Sequence, residues 1–261
     1  MIKTLKTIAL AIASMAMTVA IQAQDLSSQR GESQNLGGLF GEKLDHGGII
    51  INPTPQQIYM LRTIGVDINA GVALKGKAKE FASEVEFLKH NKRGVALTIN
   101  YGAKYCDGIE AKSGAYHLHI AHKGIIINAF DKVGVSYALQ TLRQIVESPA
   151  SAEGHIPALT INDWPDLQYR GVVEGFYGTP WSHEVRLSLI DTYGRYKMNY
   201  YIYGPKDDPY HSSPHWREPY PEDEARQISE LVEACNRNHV NFVWAIHPGK
   251  DIKWEESDIQ N

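Results

Sequence analysis

Cysteine is scarce. The 261 residues contain two, Cys106 and Cys235, so a disulfide framework is excluded as the source of stability. The pattern below assigns them to different domains. Cys235 also shares a helical apolar stripe with Ile228, Leu231 and Val232. Two separate buried thiols are expected rather than a bridge, and neither has the neighbours of a reactive cysteine. No charge of one sign dominates either: 26 Lys and Arg stand against 30 Asp and Glu, a formal net charge of −4. That balance gives no reason to expect nucleic acid or an anionic membrane as partner. A Gly-rich phosphate loop is also missing, because "EGFYG" (174–178) lacks the third glycine and the helix start of a dinucleotide site.

Long apolar runs are absent except at the start. "MIKTLKTIALAIASMAMTVAIQAQ" opens with Lys3 and Lys6, continues Ala-rich, and offers Ala23 as a small residue for cleavage. It reads as a secretory signal of about residues 1–23. The run is short for a membrane span, and no strongly basic stop follows it. No cysteine near Ala23 supports a lipid anchor. The expectation is an exported protein, periplasmic or secreted, with no membrane association after cleavage. Residues 24–47, polar and Gly-rich, read as a disordered leader.

What is present is ordinary globular composition, 43% hydrophobic and 21% charged. From 48 to 162, short strands and helices mix. "GIIIN" (48–52), "VALTINYG" (95–102) and "AYHLHIAH" (115–122) look like strands. The last alternates, with Tyr116, Leu118 and Ile120 on one side and His117 and His119 on a solvated one. "GIIINAF" (124–130) is apolar enough to be buried on both faces. Helical spacing follows at Val135, Ala138, Leu139 and Leu142. This predicts a small α+β domain. "SPASAEGHIP" (148–157) reads as a linker.

The rhythm then changes. "YRGVVEG" is a strand ending in Gly175. Ser182 caps a helix running to about Lys197. "NYYIYG" is a strand, followed by the loop "PKDDPYHSSPHWREPY". Pro221 opens a helix with Glu222, Asp223 and Glu224 in its first turn, and "VNFVWAIHPG" is a third strand. This is a parallel βαβαβ run, for which an open doubly wound sheet or a (β/α)8 barrel would serve. The long loops, rich in aromatic and charged residues, favour the barrel.

Glu174, Gly175, Tyr177, Trp181, Lys206, Asp207, Asp208, His211, His215, Trp216 and His247 lie at or just past the strand ends. In a barrel they share one rim. Rings beside carboxylates and a lysine suit a sugar. Asp207, Asp208, His211 and His215 resemble metal ligands in type, but Pro209 and Pro214 make the segment a loop, so four-residue spacing does not align the rings. No metal is expected. Glu174 is an acid candidate or a buried ion-pair partner. His247 is a base candidate or a loop-orienting group. Adjacent carboxylates such as Asp207 and Asp208 can divide acid and base roles.

The segments "RGVVEGFYGTPWSHEVRL", "KMNYYIYGPKDDPYHSSPHWREPYP" and "FVWAIHPGKDIKW" together resemble glycoside hydrolase family 84 over roughly 165–261. "GIIINAFDKVGVSYALQTLRQIV" resembles the small domain preceding the barrel there, and in other hexosaminidase families. The resemblance implies an O-GlcNAcase-like β-N-acetylglucosaminidase, some relatives being named hyaluronidases. It implies retaining hydrolysis of N-acetylglucosamine-containing glycans or glycoproteins without a cofactor. The substrate's own 2-acetamido oxygen attacks, forming an oxazoline. By resemblance, Gly175 and Lys206 match the family's sugar-binding glycine and lysine, with Tyr177 as a rim neighbour. Asp207 and Asp208 become loop support that holds Lys206, because the family's aspartate pair follows the fourth barrel strand and these follow the second.

Positions 165–261 amount to three β/α units, whereas a whole barrel takes about 250 residues. An incomplete (β/α)8 barrel without the catalytic aspartate pair, inactive alone, is therefore expected. The alternative is a secreted sugar-binding or scaffolding protein without catalysis.

Overall fold

The computed structural model describes residues 48–175, 178–247, 249, 252 and 255–256. The expected signal and leader lie outside the described residues, as does Tyr177. Contacts divide the chain into two compact units, with the break between Trp164 and Pro165. No helix among the described residues is long and apolar enough to cross a membrane.

The N-terminal unit contains strands β1 (Gln57–Met60), β2 (Val66–Asp67), β3 (Val72–Gly76), β4 (Val95–Tyr101), β5 (Tyr116–Ala121) and β6 (Gly124–Ala129). Helix α1 (Lys132–Glu147), β7 (His155–Ile156) and β8 (Leu159–Asp163) follow. Six strands form one mixed sheet in the order β1-β8-β5-β6-β4-β3. Ala121 pairs with Gly124, so His122 and Lys123 make a two-residue hairpin turn. Alternation in β5 buries Tyr116, Leu118 and Ile120 fully. They meet Val135, Ala138, Leu139 and Leu142 of α1 in one core. The Asp131 side chain caps α1 by accepting from the Gly134 N–H at 2.8 Å. Gly134 permits the close docking: a Cβ there would lie 2.4 Å from the Ala115 carbonyl oxygen.

Four expectations for this unit change. Residues 48–52 are not a strand: Ile49 makes a single bridge and Ile50 is exposed. Their backbone is satisfied by α1 and its C-cap instead, Ile50 N–H by Ser148 Oγ and Asn52 N–H by Gln144 Oε1. β6 is not buried on both faces, since Ile126 is exposed. His117 and His119 do not form a solvated face; they are half-buried and stacked, and bond to Asn162 and Thr160 of β8. The segment 148–157 is no linker. It winds through a 3-10 stretch, pairs β7 with β2, and buries Ser148, Ser151 and Ile156. Its turn-forming residues mark a chain reversal inside the unit, which composition alone does not distinguish from a boundary.

The C-terminal unit runs β9 (Gly171–Glu174), α2 (His183–Arg195), β10 (Tyr200–Tyr203), α3 (Glu222–Arg237), β11 (Asn241–Trp244). The strands are parallel in the order β11-β10-β9, with Glu174, Tyr203 and Trp244 in register. Ser182 Oγ caps α2 by accepting from the Val185 N–H, and the helix stops at Arg195, short of Lys197. Acids fill the first turn of α3 and Arg237 its last, as the helix dipole favours. Tyr201 and Tyr203 pack on one face with Ile190, Tyr193, Leu231, Ala234 and Cys235. On the opposite face Val173 is exposed. Both cysteines are free and buried.

Candidate functional site

Period-two alternation sends Glu174 to the helix-covered face at the end of β9, where it is fully buried. Arg186 of α2 donates from Nε to Oε1 at 3.2 Å and Oε2 at 3.0 Å, and from Nη2 to Oε1 at 2.8 Å. The Tyr201 hydroxyl donates to Oε2. The Arg186 guanidinium also lies 5.0 Å from the Tyr203 ring centroid. Burial, then the bond to Glu174, pushes the Tyr201 phenol far above its ordinary range. A carboxylate so occupied is a buried ion-pair partner, and the open choice at Glu174 resolves that way.

Gly175 continues the ladder beside Gly204, whose N–H donates to the Glu174 carbonyl at 3.0 Å. Ala245 follows in the same row, donating to the Tyr203 carbonyl at 2.8 Å. A Cβ on Gly175 would meet Val173 Cγ1 at 3.3 Å, which places it on the sheet face away from the helices. Gly175, Gly204 and Ala245 thus make a row with almost no side chain. The space over Gly204 belongs to His211, whose Cε1 lies 3.4 Å from where a Cβ would stand. His211 is buried and its Nδ1 sits 2.7 Å from the Ala245 carbonyl. A carbonyl accepts only from an N–H, so the proton is assigned to Nδ1. Nε2 then carries a buried lone pair without a partner among the described residues.

Lys206 and Asp207 occupy a turn closed by the Asp208 N–H donating to the Pro205 carbonyl at 3.1 Å. Lys206 is half-buried and Asp207 exposed. Among the described residues no ion pair joins Lys206 to either aspartate. Asp208 works through other contacts. Its Oδ2 accepts from the Tyr203 hydroxyl at 2.7 Å and the Tyr220 hydroxyl at 2.8 Å, and its Oδ1 from the Tyr210 N–H at 2.8 Å. Tyr220 in turn accepts from Trp244 Nε1–H at 3.1 Å. Burial first, then Asp208, raises the phenol pKa of Tyr203 and of Tyr220.

The remaining candidates disperse. His215 bonds Glu218 at 2.8 Å. His247 is exposed, and its backbone joins the two loops, its N–H donating to the His211 carbonyl at 2.7 Å and its own carbonyl accepting from Ser213 N–H at 3.2 Å. Trp216 stacks under Arg217 at 3.9 Å. Among the described residues no three His, Cys, Asp or Glu side chains group as a metal would need. A cleft of about 290 Å³ opens on the helix-covered side, lined by residues including Arg186, Asp207, Asp208, Tyr220 and Glu224. Neither Gly175 nor Lys206 lines it, so it is distinct from the row of small residues. The roles of Tyr220 and Trp244 were not legible in sequence, because they depend on which strand ends become neighbours.

Residues 170–261 match the family model described as beta-N-acetylglucosaminidase. Residues 49–164 match that of glycosyl hydrolase family 20, domain 2. The chain is 45% identical over 82 residues to Protein O-GlcNAcase of Rattus norvegicus, which covers 31% of this chain and 9% of that protein. It is 34% identical over 154 residues to N,N'-diacetylchitobiase of Vibrio harveyi, covering 56% of this chain and 17% of that one. The solved structure of CpGH84B superimposes with a TM-score of 0.69 at 33% identity, over 81% of this chain and 39% of that chain. The chain thus spans well under half the length of each of these relatives.

Proposed function

We propose, on the premise that the chain is similar to family 84 β-N-acetylglucosaminidases, that it carries the sugar-holding part of a glycoside hydrolase. The substrate class is N-acetylglucosamine β-linked in glycans or glycoproteins. Under this reading the β9–β11 unit is the first three β/α units of a (β/α)8 barrel, with the strand ends as its binding rim. Residues 48–162 form the preceding hexosaminidase-type domain, and residues 1–23 are an export signal.

The observation that carries the reading is Gly175, half-buried past the end of β9 on the face away from the helices, with Lys206 following two residues after its ladder neighbour Gly204. The missing side chain at Gly175 lets a pyranose approach backbone, and a half-buried lysine without an ion pair among the described residues has donors to offer its hydroxyls. Tyr177 is assigned to the same rim. The chemistry is retaining and substrate-assisted: the 2-acetamido oxygen attacks the anomeric carbon to give an oxazoline. Tethering the nucleophile to the substrate supplies proximity that the protein need not create. Asp207 and Asp208 are not assigned the proton transfers. Asp208, already accepting from three donors, supports a structural role in the loop.

Calorimetry with N-acetylglucosamine tests the reading. The chain is expected to bind, and Lys206→Ala to weaken binding about 10- to 100-fold, the worth of a charge-assisted hydrogen bond. A folded sample that evolves no heat with the sugar removes the proposal.

A further inference from the structure

We propose that Tyr220, acting through Asp208, is a positioning residue for Lys206; this rests on the sugar-binding reading above. Lys206 has no ion pair among the described residues, so backbone must set its place. That backbone is the turn from Pro205 to Asp208, closed by a 3.1 Å hydrogen bond and buried at both ends. One end is anchored by strand β10. The other is anchored by the Asp208 carboxylate, which gathers donors from three places: the end of β10, the loop at Tyr210, and Tyr220 just ahead of α3.

Tyr220 is the arm that reaches furthest. Its hydroxyl is donor to Asp208 and acceptor from Trp244 at the end of β11. Without it, a buried carboxylate lone pair and an indole N–H both lose their partner, and a desolvated carboxylate moves to recover donors. Such movement displaces the turn and the ammonium with it. A second tie farther along, His211 to the Ala245 carbonyl, fixes the loop beyond Tyr210. The displacement is therefore confined to the segment that carries Lys206.

The test is a double-mutant cycle with Tyr220→Phe and Lys206→Ala, read by N-acetylglucosamine affinity, together with amide hydrogen exchange. Tyr220→Phe is expected to weaken binding about fivefold on its own and not at all in the Lys206→Ala background, because coupled residues are non-additive. Exchange at 205–210 speeds up while β10 and β11 amides hold. Trp244→Phe, which leaves the Tyr220–Asp208 bond in place, gives a smaller effect in the same direction and serves if Tyr220→Phe does not fold. Additive losses, or wild-type affinity in Tyr220→Phe, overturn the inference. If Lys206→Ala alone binds as tightly as wild type, the sugar-site reading has failed, and the positioning role fails with it.

Discussion

Glu174 has two readings in the sequence, a general acid and a buried ion-pair partner. At a strand end in a polar loop region it has the sequence profile of a general acid, yet its carboxylate is buried and taken up by Arg186 and Tyr201. Removing one partner of a buried pair strands the other charge. Arg186→Met is accordingly expected to cost about 3–5 kcal/mol in a denaturant titration, far beyond a surface substitution. A loss within 1 kcal/mol would mean that Glu174 finds other donors. Cys235 is buried among Ile190, Leu231 and Ala234. Burial alone pushes its thiol up to about 12, so the reactive thiolate is scarce at pH 8 as well as inaccessible. A disulfide reagent should leave it unmodified in the folded chain and titrate it once denaturant is added.

Elements were legible where a single period ran undisturbed. The 3.6-residue spacing of α1 and the alternation of β5 each placed the buried face correctly, because both depend on residues a few positions apart. The misread pieces depend on distant partners. The backbone of 48–52 is satisfied by Gln144 and Ser148, and no local pattern announces that. The Asp208 cluster likewise needs Tyr203, Tyr220 and Trp244 to arrive from three elements. Gly134→Ala forces a Cβ against the Ala115 carbonyl, and overpacking of this kind should cost about 1–3 kcal/mol by thermal unfolding. The β5–β8 face should also be pH-sensitive. Burial, then His117, lowers the pKa of His119. The unfolded chain therefore binds a proton before the folded one. Stability is complete above the ordinary histidine pKa and is lost as pH falls through the folded value. Melting temperatures measured between pH 8 and pH 5 should fall less in His119→Gln than in wild type; equal slopes would remove His119 as the cause.

At the scale of the whole chain, the two units differ in how completely each covers its own sheet. The large apolar cluster draws every buried member from residues 49 to 161, including both strands of the β5–β6 hairpin and the inner face of α1. All six strands of its sheet come from residues 57 to 163. A segment that supplies its own strands, helix and core has what independent folding requires. Residues 48–164 expressed alone should therefore unfold cooperatively, with coincident transitions by far- and near-ultraviolet circular dichroism. The β9–β11 unit has a smaller core, and its sheet leaves Val173 exposed on the face away from the helices, with Trp244 and Ile246 exposed at and beyond the end of β11. Apolar surface of that kind, with outer strand edges that pair with no further strand among the described residues, promotes association. Residues 165–261 alone should accordingly sediment as concentration-dependent oligomers, where the 48–164 fragment stays monomeric. If the 48–164 fragment melts without cooperativity, the first unit's core does not suffice to hold it.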